Sequence, residues 1–93
     1  MFGQVPINLE NLSSEHLNME ILRIALIAEL DAINLYEQMA AYTDDDHIKK
    51  VLLEVAKEEK EHVGEFQTLL LKLDKEQVEE MEEGRKEVEE LTE

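Results

Sequence analysis

The sequence contains no cysteine, so no disulfide can brace it and no thiolate can bind a metal ion. One proline and three glycines leave little turn punctuation, and aromatic side chains make up 4% of residues, with no tryptophan. A β-sandwich or barrel calls for more turn residues and more β-branched and aromatic ones. Basic residues are also scarce: 9 Lys and Arg stand against 24 Asp and Glu, for a net charge of −15. That balance argues against nucleic acid, whose phosphates demand Lys and Arg, and against an anionic membrane surface. It suits the attraction of cations, or plain solubility. The longest apolar run, Ile24 to Ala28, falls far short of the roughly 20 residues that span a bilayer. The opening "MFGQVPINLENLSSE" has no basic start followed by an apolar core, which predicts no secretion signal and a cytoplasmic location.

What is present is Leu, Ile, Ala, Glu and Lys, the composition of an all-α helical bundle. The 93 residues make one small domain, which buries a limited fraction of its surface and often completes its core with copies of itself. Residues 1–12 hold Gly3, Pro6 and two Asn and read as a loose lead-in. A long helix is predicted over 13–42, with Ser13, Ser14 or Asn18 as its N-cap. The stretch "YTDDD" breaks the pattern, and a second helix is predicted over 44–73, capped by Thr43 or Asp44. An acidic helical arm follows over 75–92, with Gly84 as a point where it can break. The result is an antiparallel hairpin with a short C-terminal helix. The first helix is apolar on a second side as well, through Ile21, Ile24, Ala28, Leu35 and Met39, and a helix apolar over so wide an arc expects more than one neighbour.

The apolar stripes have telling interruptions. Steps of four and three along the second helix give Ile48, Leu52, Val55, Glu59, His62, Phe66, Leu69 and Leu73, with two adjacent polar members. The first helix gives Met19, Leu22, Leu26, Glu29, Ile33, Tyr36 and Ala40. An unpartnered ionised carboxylate in such a stripe costs several kcal/mol in lost hydration. Glu29 lies about fifteen residues before Asp44 and Glu59 about fifteen after it, so at roughly 1.5 Å per residue they stand level across the hairpin. His62 follows one turn beyond Glu59 on the same face. Two carboxylates repel, one imidazolium neutralises only one of them, and a divalent cation resolves the conflict better.

Di-iron carboxylate bundles take one Glu from each of two helices and one Glu-x-x-His from each of the other two. This chain carries one of each, and two copies about a two-fold axis would supply the full set. The site is therefore expected at a dimer interface, inside a ferritin-like four-helix bundle. The neighbouring charges have plainer readings. Glu58, Lys60 and Glu61 suit a solvated face, Asp44 to Asp46 suit capping, and His16 and His47 lie near helix starts as surface residues.

The segments "AELDAINLYEQ" and, about thirty residues on, "EEKEHVGEF" resemble the encapsulated ferritins, over roughly residues 18–73 and extending towards the tail. The resemblance implies a ferroxidase that oxidises Fe²⁺ to Fe³⁺ with O₂ at a di-iron centre, two irons per dimer. It also implies dimers joined in a ring, typically a decamer, and a place inside an encapsulin nanocompartment with the shell protein as partner. Family ligands fall on Glu29, Glu59 and His62, with Tyr36 near the metals. Some members carry an acidic residue before the first ligand and a Trp before the Tyr; Ala28 and Leu35 stand there in this chain. Asp31 is the remaining acidic candidate for a metal-uptake site. Two alternatives remain: a rubrerythrin-like di-metal peroxidase dependent on an outside reductant, and a non-catalytic oligomer stapled by metal.

Overall fold

A computed structural model describes residues 13–93, all of it helical apart from short joints. Helix α1 spans Ser14–Tyr42, α2 spans Asp46–Leu73 and α3 spans Lys75–Thr92. The predicted lead-in over 1–12 lies outside the described residues. Among the described residues, no helix is long and apolar enough to cross a membrane.

Each start has a local cause. Ser13 caps α1 from extended backbone, its Oγ accepting the His16 N–H at 3.3 Å, which settles the choice among Ser13, Ser14 and Asn18. The cap of α2 departs from expectation: it is Asp45, not Thr43 or Asp44, and the helix begins at Asp46. Asp45 Oδ1 accepts both the His47 and the Ile48 N–H at 2.9 Å. The Thr43 hydroxyl meanwhile accepts the N–H of Asp45 itself at 3.2 Å, tightening the turn and delaying the helix. His16 and His47 are both exposed.

α3 also differs from expectation, since it runs unbroken through Gly84. A helical glycine costs about 1 kcal/mol relative to alanine. Here Arg85 holds Glu82 through two hydrogen bonds, at 2.6 and 3.0 Å, and also pairs with Glu89, while Lys86 reaches Glu83. These pairs lie on both sides of Gly84 and offset part of its cost. The hydrogen bond from Arg85 holds the Glu82 carboxyl below its usual range.

α1 and α2 pack antiparallel, and their contact supplies most of the tertiary structure. The core they share is thin. Only Ile33, Ala40, Ala56 and Leu70 are buried apolar side chains among the described residues, and no large side chain is fully enclosed. Ile48, Leu69 and Leu73, predicted to face the partner helix, are 42–51% exposed instead. The reason lies in the rotation of α2: Ala56 and Leu70 face α1, and the predicted stripe lies at the edge of that contact, partly turned outwards. On α1, Ile21, Leu35 and Met39 are likewise open to solvent. Uncovered apolar surface on this scale is more than single scattered side chains and is expected of faces that bind a partner.

Candidate metal centre

The middle of the hairpin brings together Glu29 from α1 with Glu59 and His62 from α2. One ligand atom from each lies within 4.8 Å of the other two. The equal distances of Glu29 and Glu59 from the turn set them level, and the helical step of three brings His62 onto the same side. Both carboxylates are largely covered, with side chains 20% and 18% exposed, while the imidazole is 45% exposed.

The polar contacts within this cluster are incomplete. His62 Nδ1 lies 3.2 Å from Glu59 Oε2, a hydrogen bond across one turn of α2. The same nitrogen stands 3.4 Å from Glu29 Oε2, within ion-pair range. Yet Glu29 Oε2 is buried and accepts no hydrogen bond. A buried carboxylate oxygen without a donor costs on the order of 1–3 kcal/mol. One ring nitrogen cannot satisfy two carboxylates that share it, so this site is short of positive charge.

Chemically the cluster offers two hard oxygen donors and one imidazole nitrogen. That set suits iron, manganese or zinc and offers nothing to thiophilic ions. An orphaned buried oxygen beside such donors fits a bound cation. Three ligands leave the coordination of a metal unfinished, and the half-exposed imidazole lies on the side of α2 that carries exposed Val51 and Leu69. The cluster therefore opens onto uncovered apolar surface and not into the chain's own core.

The other candidates fall differently. Tyr36 is half-buried, two turns beyond Glu29 on the same side of α1. Asp31 is 8% exposed and does not belong to the cluster. Glu58, Lys60 and Glu61 are exposed as expected, although Lys60 does reach back to Glu37 on α1 at 3.2 Å. Sequence reading missed that cross-helix pair, and it missed the contact of Arg23 with Asp74 at 2.8 Å. No spacing rule connects residues 51 apart in the chain.

The chain is 68% identical over 74 residues to the ferritin-like–encapsulin shell fusion protein of Pyrococcus furiosus, covering 80% of this chain and 21% of that protein. It is 45% identical over 56 residues to the encapsulin nanocompartment cargo protein EncC of Myxococcus xanthus, covering 60% of this chain and 43% of the other. It thus spans less than half the length of either relative. The crystal structure of the encapsulated ferritin domain from Pyrococcus furiosus superimposes with a TM-score of 0.85 at 56% identity, covering 99% of this chain and 94% of that one. The sequence model of the EncFtn-like family matches residues 4–87, and this chain belongs to that family.

Proposed function

We propose that the protein is a ferroxidase, oxidising Fe²⁺ with O₂ at a di-iron site completed between two copies of the chain and feeding iron storage inside an encapsulin shell. The observation that carries this reading is the unsatisfied Glu29 Oε2 beside Glu59 and His62. Family membership supports the iron chemistry, and the names of the two curated relatives support the shell.

In this reading Glu29, Glu59 and His62 bind the substrate iron. Carboxylate oxygens favour Fe³⁺ over Fe²⁺, which makes the loss of an electron downhill, and two irons held together deliver two electrons to one O₂. Glu59 and Glu29 would hold the iron as carboxylate ligands, Glu59 being the candidate to be shared between the two irons, and His62 would add a nitrogen ligand. The hydrogen bond from His62 to Glu59 fixes the orientation of both side chains before metal arrives. Tyr36 is assigned a place beside the metals. Asp31, the sequence's candidate for metal uptake, is the member of the set that its burial supports least.

The second copy enters through a simple count. One chain brings one Glu and one Glu-x-x-His, half of what a di-iron carboxylate bundle uses. A two-fold axis through the exposed side of the cluster doubles the ligands and covers the apolar surface around them. Aerobic addition of Fe²⁺, followed by ferric absorbance, tests the reading. Glu59→Ala and His62→Ala are expected to lose the fast oxidation, and variants as fast as the parent would overturn the assignment. A metal-stapled structural oligomer is the second reading, favoured by the thin core. It predicts metal-dependent assembly without turnover of iron under O₂.

A further inference from the structure

Asp74 is the whole of the connection between α2 and α3. Its N–H donates to the Leu70 carbonyl at 2.9 Å, ending α2. Its Oδ1 accepts the Gln77 N–H at 3.0 Å, starting α3, and its Oδ2 accepts from Arg23 Nη2 on α1 at 2.8 Å. One residue therefore joins all three helices. Among the described residues, little else holds α3. None of its residues is buried, and its apolar side chains Val78, Met81, Val88 and Leu91 are 42–84% exposed. Beneath its first turns lies an open cleft of about 410 Å³, lined by Leu26, Ile27, Leu70, Leu71 and Met81 together with Arg23.

A helix whose apolar side chains are 42–84% exposed, with only Gln77 and Met81 reaching the cleft, takes its direction mainly from its first turn. The bond to Gln77 is internal to α3 and the bond to Leu70 is internal to the end of α2, so neither refers α3 to the body of the hairpin. Among the described residues, the polar contact that does so is the one from Arg23. We propose that the Arg23–Asp74 ion pair is a latch that sets the angle at which α3 leaves the hairpin, and that breaking it turns α3 from a fixed arm into a swinging one. Ion pairs between two mobile surface side chains contribute little. This one differs because Asp74 is 9% exposed and already ordered by its role as a cap, so only Arg23 has to be immobilised. The planar guanidinium suits that task better than a lysine ammonium. The latch stands apart from the metal centre and does not depend on any reading of its chemistry.

The absence of cysteine makes the test clean. Spin labels on Asn34→Cys in α1 and Glu87→Cys in α3, in full-length chain diluted with unlabelled protein, report the intrachain distance between hairpin and arm. The background protein should give a narrow distribution. Arg23→Gln and Asp74→Asn should each broaden it at least twofold, and the double variant should broaden it no further. Asn caps a helix about as well as Asp, so Asp74→Asn removes the charge and keeps the cap, and far-UV circular dichroism should show full helix content in every variant. A broad distribution in the background protein overturns the latch. So does a narrow one in Arg23→Gln, whatever Asp74→Asn shows, because the ion pair would then not be setting the angle.

Discussion

Glu29 Oε2 and His62 Nδ1 face each other across the α1–α2 contact at 3.4 Å, and the carboxylate oxygen accepts no hydrogen bond. The pair shows the hairpin holding a charge that its own atoms do not satisfy. Groups of this kind cost stability and are expected at functional sites more than in ordinary cores.

Glu29→Gln removes that charge at nearly constant shape. The metal-free protein should melt at a higher temperature, by an amount equivalent to about 1 kcal/mol, because a buried unsatisfied carboxylate is replaced by a neutral amide. Iron oxidation should fall at least about 100-fold, since loss of a ligand exceeds the cost of losing a supporting contact. Calorimetry on the metal-free protein and stopped-flow absorbance separate the two effects. A variant that is destabilised without metal contradicts the reading of Glu29 as strained.

Removal of metal should shift the assembly towards smaller species. The ligands available from one chain are three, and the apolar surface beside His62 is uncovered in the single chain. Light scattering before and after chelation measures the change, and Glu59→Ala and His62→Ala should resemble the chelated parent. An unchanged mass and melting temperature after full metal removal would count against a shared site.

Gly64 and Gly84 separate effects within the chain from effects between chains. Neither position would bring an added Cβ within 4 Å of another group in this chain. Alanine at either should stabilise its helix by roughly 0.5–1 kcal/mol. If Gly64→Ala raises the stability of the metal-free chain but weakens assembly, a neighbouring chain approaches α2 at that point. Thermal melts and scattering on the same samples read both quantities.

The anchorage of α3 should depend on acid in one direction. The Gln77 N–H holds the Asp74 carboxyl below its usual value, Arg23 adds to this, and burial opposes both. A carboxyl with a folded pKa below its unfolded one stabilises the fold above the unfolded value of about 4. That contribution is lost as the pH falls through the lower folded pKa. The Arg23 contact should thus persist at pH 5–7 and disappear only in stronger acid, while Asp74→Asn should show no such acid transition. Label distances between α1 and α3 recorded from pH 7 down to pH 2 check the sign.

The sequence made the hairpin and the cluster readable for one reason. A stripe of apolar residues at helical spacing makes Glu29, Glu59 and His62 stand out, and equal distances from one turn put them level. The cap of α2 is harder to place: Thr43 and Asp44 qualify by type, yet the bond from the Asp45 N–H to Thr43 delays the helix and leaves Asp45 as the cap. The rotation of α2 is not legible in its stripe, because the small Ala56 is buried while the larger Ile48, Leu69 and Leu73 stay half exposed. Gly84 suggests a break, and the pairs of Arg85 with Glu82 and Glu89 offset only part of its cost, so the continuity of α3 is not legible from Gly84 alone. Arg23 and Asp74 carried no signal, since their pairing exists only once the hairpin has folded.

Two chains that share one di-iron oxidation site must take up iron in a fixed ratio to protein. Rapid mixing of metal-free protein with increasing Fe²⁺ under O₂, counted against chain concentration, tests it most directly. The account predicts a fast ferric phase that saturates at one iron per chain, two per dimer, and is absent from Glu29→Gln, Glu59→Ala and His62→Ala. Saturation at another ratio, or a fast phase that survives loss of these ligands, would contradict it.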